Sequence, residues 1–348
     1  MKIKPEQLTR TLNNEQLPLY WLSGDEPLLM QEAADAIRTH YRKSGFLERE
    51  VFNVDRSFDW GEFQHITSNL SLFSEQKIIE LRLGSAKLDD AGKKAIQFYL
   101  EDPSTDFLIL ISGPKLDAGT PKTKWFTQIE SAGALIQIWP VNRENLQSWL
   151  EQRLIREGVQ AESQAVALLA DKVEGNLLAA MQEIEKIKLL SNTEPGQTIA
   201  LDSKTVMQVV ADSSRFNAFQ LVDAAFLGDT VRSQKMLSGL RNEGIFPLVI
   251  LAALSRELRS LIPMLESKDR GQNISSIIQS ARVWFNRKNA ISSILGRLNQ
   301  QTVWELLDHS RLIDQSIKGM SDANPWDELS LLLLQISGNS SVATLTAR

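Results

Sequence analysis

Short apolar runs alternate with amphipathic stretches through the first 140 residues. The runs at Leu19–Leu22, Arg49–Val54, Lys77–Leu83, Phe107–Ser112 and Ala134–Trp139 predict strands. Between them, apolar positions at helical spacing predict helices over Pro27–Lys43, Asp59–Asn69, Asp89–Leu100 and Pro121–Ser131. Strand and helix in alternation predict an α/β layer with a mostly parallel sheet. Phe107–Ile111 is apolar on both faces, as a central strand between two helix layers must be.

After Pro140 only the helical period remains. Asn142 offers an N-cap for a helix to about Glu157, which Gly158 closes. Helices over Ala161–Val173, Asn176–Leu190 and Ser203–Ala211, with a polar loop at Asn192–Gln197, predict a small all-helical module. Longer helices follow: Phe216–Leu227 ending at Gly228, one capped by Asp229 and running to about Glu243, then Pro247–Leu265, Ile274–Ser280, Lys288–Leu298, Thr302–Met320 and Trp326–Ile336. Asn324-Pro325 is a start signal, a capping side chain before proline at the first helical position. The last helix carries Leu331–Leu334, apolar on more than one face, so it sits either at the centre of its own bundle or against another protein. The predicted division is 1–140, 141–212, 213–338 and a polar tail, 339–348.

A chain of 348 residues, 43% hydrophobic and 23% charged, has the composition of a soluble globular protein of two or three domains. The absence of cysteine excludes disulfides, thiolate metal sites and a cysteine nucleophile. His40, His65 and His309 are far apart and in no ligand spacing, so no metal is expected. Met1–Pro5 lacks the apolar core of a signal peptide, and no apolar run approaches the ~18 residues of a membrane span. A cytoplasmic protein without membrane contact is expected. Net charge is −5, distributed as −4 over 1–140, −4 over 141–212 and +3 over 213–348. A protein whose main task is gripping nucleic acid has a stronger basic bias.

An α/β domain followed by helices directs attention to a phosphate site. A P-loop needs glycines whose neighbouring amides face the phosphates, a lysine for their charge and a hydroxyl for magnesium. The turn after the first long strand reads Ser23-Gly24-Asp25-Glu26-Pro27-Leu28-Leu29-Met30, with one glycine, no lysine, and two carboxylates where phosphate would sit. Gly92-Lys93-Lys94 lacks the upstream glycine and the hydroxyl, and Phe107–Ile111 runs into Ser112-Gly113 rather than an acidic pair. No GxGxxG or GxSxG motif occurs. The sequence therefore predicts no cofactor, no catalytic residue and no intrinsic catalysis.

One segment breaks the amphipathic pattern. Trp60, Phe63, Ile66/Thr67 and Leu70 form one helical face, and Leu72 and Phe73 continue the apolar character off it. At about 100° per residue, Leu72 points roughly opposite the centre of the stripe. Two readings stand: a helix end tucked under the sheet, or an exposed tip that anchors a partner. Two clusters mix cations and aromatics, Lys115 through Lys122 and Lys124 to Trp125-Phe126, and Arg282 through Trp284-Phe285 to Arg287-Lys288. Such clusters suit single strands of nucleic acid, but a surface loop whose aromatics join the core explains both better.

In order and spacing these segments resemble the delta-subunit family of bacterial DNA polymerase III. The resemblance runs over nearly the whole chain. Tyr20–Leu28 stands in place of the P-loop, and Ser71-Leu72-Phe73 precedes the third of the predicted strands. Lys115-Leu116-Asp117, Lys124-Trp125-Phe126, Gly175–Leu190 and Trp284 to Arg287 follow. The resemblance implies an AAA+-like architecture in three domains: a RecA-like parallel-sheet domain, a small helical lid and a C-terminal helical collar. It also implies a non-ATPase clamp-loader subunit that binds the ring-shaped beta clamp and opens one interface. Nucleotide would be bound by its partners, ATPase subunits of the tau/gamma type and the delta-prime subunit, with primed DNA inside the complex. Polymerase activity would belong to the holoenzyme. The family's clamp-binding pair maps onto Leu72 and Phe73, with Leu70 and Ser71 beside them, and the degenerate turn is Gly24, Asp25 and Glu26. A collar would account for the final leucine-rich helix. Two other classes stay open. Nucleotide-dependent thermal stabilisation would mark an unusual P-loop ATPase, and salt-sensitive oligonucleotide binding without partners would mark a stand-alone single-strand binder.

Overall fold

Side-chain alternation along the strands decides which helix covers which face. A computed structural model describes residues 1–68, 76–84, 88–117, 119–191, 197–210, 214–283 and 287–338. The elements run β1 (Lys2–Ile3), α1 (Leu8–Asn14), β2 (Leu19–Gly24), α2 (Pro27–Lys43), β3 (Glu48–Val54), α3 (Trp60–Ser68), β4 (Lys77–Leu83), α4 (Asp90–Glu101), β5 (Phe107–Gly113), α5 (Lys124–Ala132) and β6 (Ala134–Ile138). All six strands are parallel, in the order β1-β6-β2-β5-β4-β3. Adjacent residues serve opposite layers. Trp21, Ile79, Leu81, Ile109 and Ile111 pack with Trp60 and Phe63 of α3, Ile96 of α4 and Phe126 of α5. Tyr20, Leu22, Ile78, Leu108 and Leu110 pack with Leu8 and Leu12 of α1 and Ile37 and Tyr41 of α2.

The chain continues as α6 (Arg143–Arg156), β7 (Val159–Ala161), α7 (Ser163–Val173), α8 (Leu177–Leu190), β8 (Ile199–Leu201) and α9 (Ser203–Val209). The expectation that strands stop after Pro140 is corrected here. β7 and β8 pair in parallel, Val159 opposite Ile199 and Ala161 opposite Leu201. The small module is therefore not all-helical.

The chain forms two compact units, one of residues 1–170 with 177–210, the other of residues 171–176 with the described residues beyond 210. The second unit holds α10 (Ala218–Leu227), α11 (Thr230–Asn242), α12 (Pro247–Asp269), α13 (Ile274–Ser280), α14 (Lys288–Arg297), α15 (Gln300–Ile317) and α16 (Pro325–Ile336). Their ends follow the sequence signals. Gly228 closes α10 with φ +86°, the Asp229 carboxylate accepts the Arg232 amide at 3.1 Å, and the Asn324 side chain accepts the Trp326 amide at 3.0 Å. Leu329, Leu332, Leu333 and Ile336 of α16 are fully buried in this unit's own core. Of the two placements open to that helix, the centre of its own bundle is the observed one, and its inner leucines are not an interface with another subunit.

Candidate functional site

The turn after β2 is closed by the chain itself. Gly24 pairs with Ile138 of β6, and a Cβ added at Gly24 would lie 2.2 Å from the Ile138 carbonyl oxygen. The glycine serves the close approach of two strands, with no phosphate needed to explain it. Ser23 is buried; its hydroxyl donates to the Pro114 carbonyl at 3.2 Å and accepts the Leu116 amide at 3.0 Å. The Asp25 carboxylate accepts the Lys115 amide at 3.4 Å. These bonds draw the segment after β5 across the turn, and Leu116 is buried beneath it.

Glu26 stands at the N-cap of α2, and its carboxyl is buried. Burial pushes this carboxyl above the ordinary range, against the pull of the Leu28 amide. A helix N-terminus attracts anions through its free amides and its dipole. Here Glu26 holds the cap position without a side-chain capping hydrogen bond, so a carboxylate rather than a lysine stands at the head of α2. Gly24, Asp25 and Glu26 of the degenerate turn thus all lie at the junction of β2 and α2.

The helix α3 uses the inner stripe that its spacing predicts. Trp60, Phe63 and Thr67 are buried, and Ile66 packs against the same core. The Thr67 hydroxyl donates to the Phe63 carbonyl at 3.0 Å, which keeps it satisfied inside. Leu70, Ser71, Leu72 and Phe73 lie outside the described residues, between Ser68 and Gln76. Lys77, the first residue of β4, pairs with Phe107 at the start of β5, so this end of the sheet is opposite the Gly24 turn.

Of the two basic and aromatic clusters, the aromatics of the first and one arginine of the second can be placed. Phe126 is fully buried and Trp125 half-buried, with ring centroids 5.2 and 6.0 Å from Trp21. The two rings of the first cluster therefore belong to the core. Arg287 donates from Nε to Asp223 and from Nη1 to Glu257, both at 2.8 Å. It ties α10 to α12. Trp284 and Phe285 lie outside the described residues.

Sequence reasoning missed a buried ion cluster on β4. Glu80 sits on the α2 face, where Arg38 of α2, Arg49 of β3 and Arg82 of β4 reach it at 3.0, 2.6 and 3.0 Å. Burial alone would raise its carboxyl, but hydrogen bonds from Arg49 and Arg82 and the charges of Arg38 and Arg49 outweigh it and hold the group below its ordinary value. The available signal was a lone glutamate inside the apolar run Ile78-Ile79-Glu80-Leu81.

Comparison with known proteins accords with this architecture. Two family models match the chain, "DNA polymerase III, delta subunit" over residues 20–138 and "Processivity clamp loader gamma complex DNA pol III C-term" over residues 218–341. DNA polymerase III subunit delta of Haemophilus influenzae is 29% identical over 346 residues, covering 96% of this chain and 99% of that protein. Its Escherichia coli counterpart is 28% identical over 334 residues, covering 96% of each. Among solved structures, the Bacillus subtilis DNA clamp loader delta protein shares the fold, with a TM-score of 0.52 at 17% identity over 96% of this chain and 99% of that one. With matches at both ends and relatives along its whole length, the chain belongs to the delta-subunit family of DNA polymerase III, the family of clamp-loader delta proteins.

Proposed function

We propose that this clamp-loader subunit binds the beta sliding clamp through Leu72 and Phe73, with Leu70 and Ser71 alongside, and opens one interface of the ring. ATPase subunits of the tau/gamma type and a delta-prime subunit then load the ring onto primed DNA, in the cytoplasm. In this reading residues 1–140 carry the clamp contact, 141–212 form the lid and 213–338 the collar that joins the partners. The observation that carries it is the inner stripe of α3, where Trp60, Phe63, Ile66 and Thr67 pack under the sheet. Leu72 and Phe73 follow off that stripe in sequence, and two adjacent apolar side chains there suit a partner's pocket. The closed turn at Gly24–Glu26 supports the division of labour, since it leaves nucleotide work to other subunits.

Burying each of the two side chains in the clamp contributes about 1.5–3 kcal/mol. Leu72→Ala with Phe73→Ala is therefore expected to weaken clamp binding by roughly 10²–10⁴-fold. The measurement is clamp affinity beside the thermal midpoint of the same variant. Binding should collapse while the midpoint and assembly with the loader subunits stay near wild type. An early-melting variant, or one that binds the clamp at full strength, would place the pair in the core and the anchor elsewhere.

A further inference from the structure

Helix α6 carries two different stripes. Leu146, Leu150 and Leu154 are buried, while Trp149 and Arg153, one turn apart, are half-buried beside them. The Arg153 guanidinium lies over the Trp149 ring, 4.9 Å from its centroid. Stacking uses the flat face of a guanidinium and leaves its in-plane N–H groups free to donate. They meet Glu32 of α2 as a fork, Nη1 donating to Oε1 at 2.7 Å and Nη2 to Oε2. Such a two-point pair fixes direction as well as distance. Helix α8 also packs against α2, and the sheet core and α6 fall in one compact unit.

Glu32 stands on the helix that begins at the closed turn, six residues after the Glu26 cap and about 9 Å further along the axis. A ligand bound at the head of α2 is one way to couple a sheet domain to a module packed along that helix. The Glu32–Arg153 pair makes such a coupling with side chains alone. Both side chains are partly exposed, so the pair is of a strength that breaks and re-forms.

We propose that Glu32 and Arg153 form a reversible catch that holds α6, and the small module it begins, in one position on α2 whether or not nucleotide is present. The catch goes beyond the clamp contact proposed above, and nothing in it depends on Leu72 or Phe73.

The chain has no native cysteine, so spin labels can be placed without background. Thr39→Cys on α2 and Gln147→Cys on α6, both at exposed positions, report the α2–α6 separation of the full chain by pulsed electron double resonance. The labelled chain is expected to show one distance, unaltered by ATP with magnesium. Arg153→Ala should add a longer-distance population, with the ratio of short to long falling about fivefold, the effect of one partly exposed pair. Arg153→Glu, which sets two carboxylates against each other, should add more of it, and Glu32→Arg with Arg153→Glu should restore the single distance. A single unchanged distance in Arg153→Ala overturns the catch, as does a reversed pair that stays open. A shift on adding ATP with magnesium to the labelled chain overturns it too, since nucleotide would then set the position. Loss of the helical circular dichroism in Arg153→Ala would assign the pair to the fold itself and count equally against the catch.

Discussion

The glutamate in the middle of β4 is a buried charge within an apolar strand. Glu80 shares its strand face with Ile78 and the α2 layer, and Arg38, Arg49 and Arg82 make that burial tolerable. Removing one partner from such a buried cluster costs about 3 kcal/mol, because the remaining charges lose their compensation. Glu80→Gln should therefore lower unfolding free energy by about 3 kcal/mol at pH 7, read by urea denaturation. The folded state holds the Glu80 carboxyl below its ordinary value. Its contribution is complete above about pH 4.3, the ordinary glutamate value, and fades as pH falls through the lower folded-state value. The gap between wild type and Glu80→Gln should narrow progressively as pH falls below about 4.3. A gap of the same size at pH 3 and pH 7 would show that the carboxylate charge does not hold the cluster together.

At the scale of elements, the long strands and most helix ends were legible because each carries a local cause. Lys77–Leu83 and Pro27–Lys43 are found at the expected residues, and Asp229 and Asn324 cap the helices they were read to cap. β1, β7 and β8 were not legible. Two or three residues cannot display an alternation, and Val159 finds Ile199 only through the fold. The candidate site divides in the same way. The missing phosphate chemistry of Gly24–Met30 could be read directly, whereas the reason for Gly24 is Ile138, which lies far along the chain. The leucine-rich α16 could be read as apolar but not assigned a neighbour. With Leu332 fully buried in the second unit, Leu332→Ala should cost that unit about 2–5 kcal/mol and lower its thermal transition. An unchanged melting curve accompanied by lost assembly with loader subunits would instead make this leucine an interface residue.

At the scale of the whole molecule, the two compact units do not divide the chain at a single cut. Residues 171–176 belong to the second unit. The Glu174 carbonyl accepts the Arg215 amide at 2.7 Å, and Lys235 donates to the Asp171 carbonyl at 2.8 Å. A fragment of residues 1–210 keeps the sheet core but leaves that short segment without these partners. It should still bind the clamp and fail to assemble with the loader, with a thermal midpoint a few degrees below that of the first unit in the full chain. A fragment that assembles normally would remove the second unit from that role. The turn at Glu26 has a wider consequence for how such a chain takes part in a cycle. A domain driven by nucleotide keeps time because its anion arrives, is cleaved and leaves. In this chain the acidic group at the head of α2 is part of the polypeptide and neither arrives nor departs. On the proposed reading, that end of the sheet keeps no clock of its own, and the rhythm of its work is set by other molecules.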